Sequence, residues 1–143
     1  MRIFIENEAG SFVKHHYNEK TLELLGGSKV SRPYPFPYGF VLNTTAADGD
    51  NVDCFVLTSQ ILPTGQIVEC EPLGLMEQIE DGEEDHKILA VLQGEQAEID
   101  EKTRKFLTEF VTQVFDHLPG KSIRVGAFHS REAALEYVRR SSR

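Results

Sequence analysis

The chain has no tryptophan, only two cysteines, and 15 basic residues against 23 acidic ones. Each scarcity excludes something. A formal net charge of −8 leaves no basic face to neutralise a phosphate backbone, which argues against a nucleic-acid groove. That exclusion has a limit, because carboxylates that hold cations do not repel a phosphate: the ions invert the local field. No apolar run approaches the length of a membrane span, and the N-terminus carries no secretory pattern. Met1-Arg2-Ile3-Phe4-Ile5 reads instead as a first strand, and a cytoplasmic protein without membrane attachment is expected. Cys54 and Cys70 both fall in apolar, strand-like segments and read as free buried thiols in that compartment. No repeat, low-complexity tract or linker divides the 143 residues, so one domain over 1–143 with a proper core is expected.

What is present is mostly short and β-rich. Candidate strands are Arg2–Ile5, Phe12–His16, Leu22–Leu25, Phe40–Thr44, Asp53–Leu57, Gln66–Glu71, Gly74–Ile79, Lys87–Val91 and Ile123–Phe128, with turns at Gly26-Gly27 and Pro63-Thr64-Gly65. Strands this short, with closely spaced turn signals, favour a small closed barrel over a doubly wound sheet. Between Asp100 and Leu118 the apolar residues Phe106, Leu107, Phe110, Val111, Val114, Phe115 and Leu118 form a helical stripe that reads as core packing. Asp100 suits the N-cap and Pro119-Gly120 the stop. A shorter helix is expected over Arg131 to Arg140, with Ser130 as N-cap and Ala134, Tyr137 and Val138 facing inward. The expected class is α+β, a β-barrel with two helices packed outside it.

The most informative stretch is Asp48-Gly49-Asp50-Asn51-Val52-Asp53. Three carboxylates this close repel one another unless a cation sits between them, and a hard divalent ion held through oxygen is the usual resolution. A plain wet turn is the competing reading, since Asp-Gly is a common turn signal. An EF-hand fails: Val52 stands at its fifth position, Asp53 at the sixth, where glycine belongs, and Ser59 at the twelfth, where a bidentate glutamate belongs.

A second acidic run, Glu80-Asp81-Gly82-Glu83-Glu84-Asp85, ends in His86-Lys87. A solvated hairpin loop is its bland reading. Lys87, however, opens the apolar stretch Ile88-Leu89-Ala90-Val91, where a lysine beside carboxylates is suited to holding an anion next to bound metal. Upstream, Arg32-Pro33-Tyr34-Pro35-Phe36-Pro37-Tyr38 has three alternating prolines that stiffen an extended backbone and fix the spacing of two tyrosines. Their hydroxyls can donate to phosphate oxygens, with Lys14 and Arg32 near in sequence. Clustered carboxylates with scattered Lys, Arg and Tyr describe metal-assisted phosphoryl transfer to water.

On these residues the chain resembles the family I soluble inorganic pyrophosphatases, whose signature Asp-x-Asp-x-apolar-Asp stands here as Asp48 to Asp53. The likeness runs upstream through Tyr34-Pro35-x-x-Tyr38-Gly39-Phe40 and downstream through Pro72-x-Gly74 and Gly82-Glu83-Glu84-Asp85-His86-Lys87. The resemblance implies an OB-like closed barrel of about five strands with flanking helices. It also implies hydrolysis of pyrophosphate to two phosphates with several Mg²⁺ ions (or Mn²⁺), a small phosphoanhydride as substrate with no nucleic-acid or membrane partner, and a homo-oligomer. By the same resemblance Asp48, Asp53 and Asp85 bind metal, joined by Glu80 (or Asp81) and Glu6 (or Glu8). Asp50 matches the base that deprotonates the attacking water. Lys14, Lys87 and Tyr38 match phosphate-binding positions, Tyr34 supports them, and Arg32 or Lys29 stands for the phosphate-gripping arginine.

The chain also departs from that pattern. Lys14-His15-His16 replaces Lys-Tyr-Glu, and the Tyr-Lys pair that closes the long helix is missing, so that only Lys121 offers a cation there. Two alternatives follow from these gaps: a non-catalytic descendant that binds metal or phosphate, and a hydrolase of another small diphosphate.

Overall fold

The computed structural model describes residues 1–143. Five strands close a ring: β1 (Arg2–Asn7), β4 (Tyr38–Val41), β5 (Asp53–Val56), β8 (Lys87–Leu92) and β6 (Ile67–Glu80), with β6 returning to β1. All neighbours are antiparallel except β5 and β8, which run parallel. The later half of β6 extends beyond the ring and carries β7 (Glu83–Glu84) and β9 (Ile123–His129). A separate hairpin is formed by β2 (Val13–Asn18) and β3 (Glu23–Lys29). It docks through Tyr17, whose ring meets Phe4 edge-on at 4.8 Å.

Period-2 alternation gives the ring strands two buried faces. Cys54, Val56, Ile88 and Ala90 share one cluster with Ala134 and Tyr137 of helix α2 (Arg131–Ser141). Phe55, Leu57, Leu89 and Met76 share another with Leu107, Phe110 and Val111 of helix α1 (Glu101–Gln113). The N-caps are those read from the sequence: Asp100 accepts the Thr103 N–H and Ser130 the Ala133 N–H. No helix is long and apolar enough to cross a membrane.

Three local expectations change. The strands expected at Gln66–Glu71 and Gly74–Ile79 are one, β6, which passes Pro72 with a register shift opposite β8. Pro72 itself pairs with Ala90 and has no N–H to donate; the shift falls just after it and leaves Leu73 unopposed. The Gly26-Gly27 pair is not a turn but lies within β3. The hairpin reverses earlier, where Asn18 Oδ1 accepts the N–H groups of Lys20 and Thr21. The long helix stops at Gln113 rather than Leu118, because the next bonds, Asp116 N–H to Gln113 O and Leu118 N–H to Phe115 O, are three-residue turns.

One glycine is needed for close approach. A Cβ on Gly39 in β4 would collide with the Phe4 carbonyl of β1, so the ring closes there only with glycine.

Candidate active site

The two acidic segments meet because β5 and β8 pair in parallel with Asp53 opposite Lys87. This pairing places the end of the Asp48–Asp53 loop beside the start of β8. The loop is organised from within. Asp48 Oδ1 accepts the Asp50 N–H at 3.0 Å, the Val52 N–H donates to Thr44 Oγ1 at 3.0 Å, and Asn51 Nδ2 donates to the Val41 carbonyl at 3.0 Å. Gly49, with φ 88°, allows the reversal.

Lys87 is 5% exposed and its Nζ lies 2.7 Å from Asp53 Oδ2 and 3.0 Å from Asp85 Oδ2. Burial works against its charge, but the two carboxylates outweigh it and hold the lysine above its usual range. Burial likewise opposes the charge on Asp53, yet Lys87 and Lys14 keep its carboxyl below the normal range. Asp85 is pushed up to about 6, by burial first and by Asp53 against the pull of Lys87. The anion-holding role read for Lys87 thus meets an ammonium already engaged by two carboxylates.

All of these groups line one cavity of about 950 Å³ that carries seven carboxyl side chains and six cationic ones. Glu6 reaches it from a bulge in β1, where the register against β4 shifts between Ile5 and Asn7. The residue is 4% exposed, its carboxyl has no hydrogen-bond or ion-pair partner in the protein, and burial pushes its pKa up to about 8. Tyr34 and Tyr38 lie buried on the same wall, their ring centroids 5.4 Å apart. Burial, with Glu6 and Asp53 adding to it, holds both phenols above the usual range, so they stay donors. The Lys14 Nζ stands 5.2 Å from the Tyr38 ring centroid. Asp50 is raised by burial and by Asp48.

Each open alternative from the sequence has one member in the cavity. Glu6 lines it, while Glu8 accepts the Thr64 N–H elsewhere. Glu80 lines it, while Asp81 accepts the Ser122 N–H at the start of β9. Lys29 lines it, and Arg32 does not: its Nε donates to Gln113 Oε1 at 3.0 Å, at the C-terminal end of α1. Arg32, the other candidate read from the sequence for the phosphate grip, is engaged at the end of α1 by Gln113 and, at 4.0 Å, by Asp116. Lys121 does reach the cavity, with Nζ 3.4 Å from Glu80 Oε2 and 3.6 Å from Asp81 Oδ2. Sequence reasoning missed Glu19, Asn51, Gln78 and Arg143, which also line it. Glu19, Gln78 and Arg143 belong to no motif, and Asn51 stands at an unspecified position of the Asp48–Asp53 signature.

The seven carboxylates offer hard oxygen donors, which suit a small divalent ion, and outnumber the two imidazoles, His16 and His117, that also line the cavity. No three of these side chains converge tightly enough to form a preassembled ligand set. Asp48, Asp53 and Asp85 are therefore not gathered around one point, because like charges spread and Lys87 bridges two of them. Magnesium does not require such a cage: it takes one or two carboxylates and completes its shell with water and phosphate oxygens. The partnerless, deeply buried Glu6 fits a group that a cation would stabilise.

Comparison with known proteins agrees with this geometry. The family described as Inorganic pyrophosphatase matches residues 3–143. A protein of Mycoplasma pneumoniae named inorganic pyrophosphatase is 36% identical over 92 residues, covering 63% of this chain and only 50% of that protein. A namesake from Halalkalibacterium halodurans is 31% identical over 148 residues, covering 94% of this chain and 88% of the relative. The solved structure of an inorganic pyrophosphatase from Coxiella burnetii superposes with a TM-score of 0.88 at 28% identity, covering 99% of this chain and 92% of that one. By matched residues, identity and fold, the chain belongs to the inorganic pyrophosphatase family.

Proposed function

We propose that this protein hydrolyses inorganic pyrophosphate to two phosphates, with Mg²⁺ as its preferred metal cofactor. The observation that carries the reading is the parallel β5–β8 pairing, which delivers the Asp48–Asp53 loop and the Asp85–Lys87 segment to one cavity. Asp48, Asp53, Asp85, Glu80 and Glu6 would hold the ions. When bound, these supply charge neutralisation of the diphosphate and a lowered pKa for the attacking water.

The chain's own residues do the rest. Asp50 accepts the proton of the water that attacks one phosphorus, as that oxygen–phosphorus bond forms and the bridging bond breaks. Lys14 and Lys29 draw in the phosphate oxygens, and Tyr34 and Tyr38, kept protonated by burial, donate to them. Lys87 fixes Asp53 and Asp85 in orientation and limits their mutual repulsion.

Phosphate release from pyrophosphate in Mg²⁺ tests the reading. Asp50→Asn should lower kcat at least about a hundredfold, the lower end of what a positioned proton acceptor contributes, and Asp53→Asn should lower it too by weakening the hold on the ions. Unchanged turnover in both would refute these roles. The non-catalytic alternative draws on Lys121, whose ammonium is engaged by Glu80 and Asp81 rather than free for phosphate. Calorimetry that finds Mg²⁺-dependent pyrophosphate binding without phosphate release would favour it. The buried free thiols Cys54 and Cys70 support placement in the reducing cytoplasm. One domain over 1–143, assembled as a homo-oligomer, completes the reading, and light scattering tests the assembly.

A further inference from the structure

Glu19 lies in the turn between β2 and β3, outside every motif, and its carboxylate spans to the Asp48–Asp53 loop. Oε1 accepts the Asn51 backbone N–H at 2.8 Å. Asn51 is itself a fixed point: it is 6% exposed, its Nδ2 donates to Val41 O, and its Oδ1 accepts from Arg143 Nη2 at 3.2 Å. The second oxygen of Glu19 makes no hydrogen bond or ion pair with the protein, and the side chain lines the cavity. Asp53 and Asp50 are the nearby carboxylates that act on it, opposed by Lys14.

A carboxylate held half-buried beside two others is unfavourable without a cation, and one backbone N–H offsets only part of that cost. A second feature of the same cavity points to a cation independently. Glu6, 4% exposed and without a partner, faces the same space from the opposite segment of chain.

We propose that Glu19 is a further carboxylate of the cation site and a positioning residue for the Asp48–Asp53 loop. One oxygen anchors the Asn51 amide, and the other adds negative charge on the cation side. This inference rests on the reading of the cavity as a divalent-cation site.

Two substitutions separate the two roles. Glu19→Gln keeps an oxygen for the Asn51 N–H but removes the charge; Glu19→Ala removes both. Mg²⁺ is titrated calorimetrically without substrate, and hydrogen exchange of the Asn51 amide is followed in the same proteins. Glu19→Gln should bind Mg²⁺ on the order of tenfold more weakly with the Asn51 amide still protected, the lower end of losses for residues behind the direct ligands. Glu19→Ala should bind more weakly again and lose that protection. Wild-type affinity in Glu19→Gln overturns the proposal, whatever the alanine variant does. A wild-type protein that binds no Mg²⁺ overturns the cation-site reading as well, a result distinct from wild-type binding that Glu19 does not influence.

Discussion

Replacing Lys87 by methionine keeps the volume of the side chain and removes the one charge between Asp53 and Asp85. The ammonium sits 2.7 Å and 3.0 Å from these carboxylates, with its own side chain 6% exposed and theirs 19% and 18%. Breaking a buried ion pair by removing one partner costs about 3–5 kcal/mol. Residual solvent at the two aspartates brings the expected loss to about 2–4 kcal/mol in a chelator. That corresponds to a fall in Tm of very roughly 5–15 °C for a chain of this size. The stronger expectation is rescue. A divalent ion can neutralise the two stranded carboxylates, and ligand that binds only the folded state stabilises by mass action. Urea unfolding with EDTA and with millimolar Mg²⁺ measures both effects. Magnesium should restore more stability to the variant than it adds to the wild type. A loss below about 1 kcal/mol in EDTA, the range of exposed pairs, or equal magnesium effects on both proteins, would refute the argument.

Glu6 predicts a pH dependence. Its folded pKa of about 8 lies above the usual carboxyl value, so the folded state holds the proton more tightly than the unfolded one. No charge is buried there at acid pH, and stability is progressively lost as pH rises from about 4.5 to about 8 and the carboxyl must stay protonated or be buried ionised. In chelator, Glu6→Gln should remove that loss and be the more stable protein at pH 8 by on the order of 4 kcal/mol; parallel stability curves for the two proteins would contradict it. Lys29→Ala should raise the KM for pyrophosphate about tenfold or more, the worth of one charge-assisted bond, while Arg32→Ala leaves it unchanged. The reverse pattern in steady-state assays would return the phosphate grip to Arg32. Gly39→Ala sets a methyl against the Phe4 carbonyl of the paired strand and should cost more than about 3 kcal/mol, read by urea unfolding. A near-neutral result would mean that the β1–β4 seam is loose.

The helix stripe at Leu107, Phe110 and Val111 and the strand at Asp53–Leu57 were legible because both signals are local, a 3.6-residue period in one and a short apolar run in the other. The N-caps at Asp100 and Ser130 were legible for the same reason. Pro72 and the Gly26-Gly27 pair misled, since they stand in paired register opposite Ala90, His16 and His15, where strand pairing overrides their turn signal. At the site, the carboxylates of both acidic segments were visible, but not which neighbour of each ambiguous pair faces inward. A one-residue bulge in β1 aims Glu6 into the cavity, and the end of α1 draws Arg32 out of it.

Composition and spacing alone determined that this is a β-rich chain with two capped helices, an acidic loop suited to hard cations, and no basic face. Only the tertiary structure decided that Lys87 is spent on Asp53 and Asp85, that Glu6 is buried without a partner, and that Glu19 crosses to Asn51. The division has a physical cause. Backbone propensity and side-chain period act over a few residues, whereas the Glu19–Asn51 and Asp53–Lys87 contacts join residues 32 and 34 positions apart through strand registers fixed by the closure of the barrel.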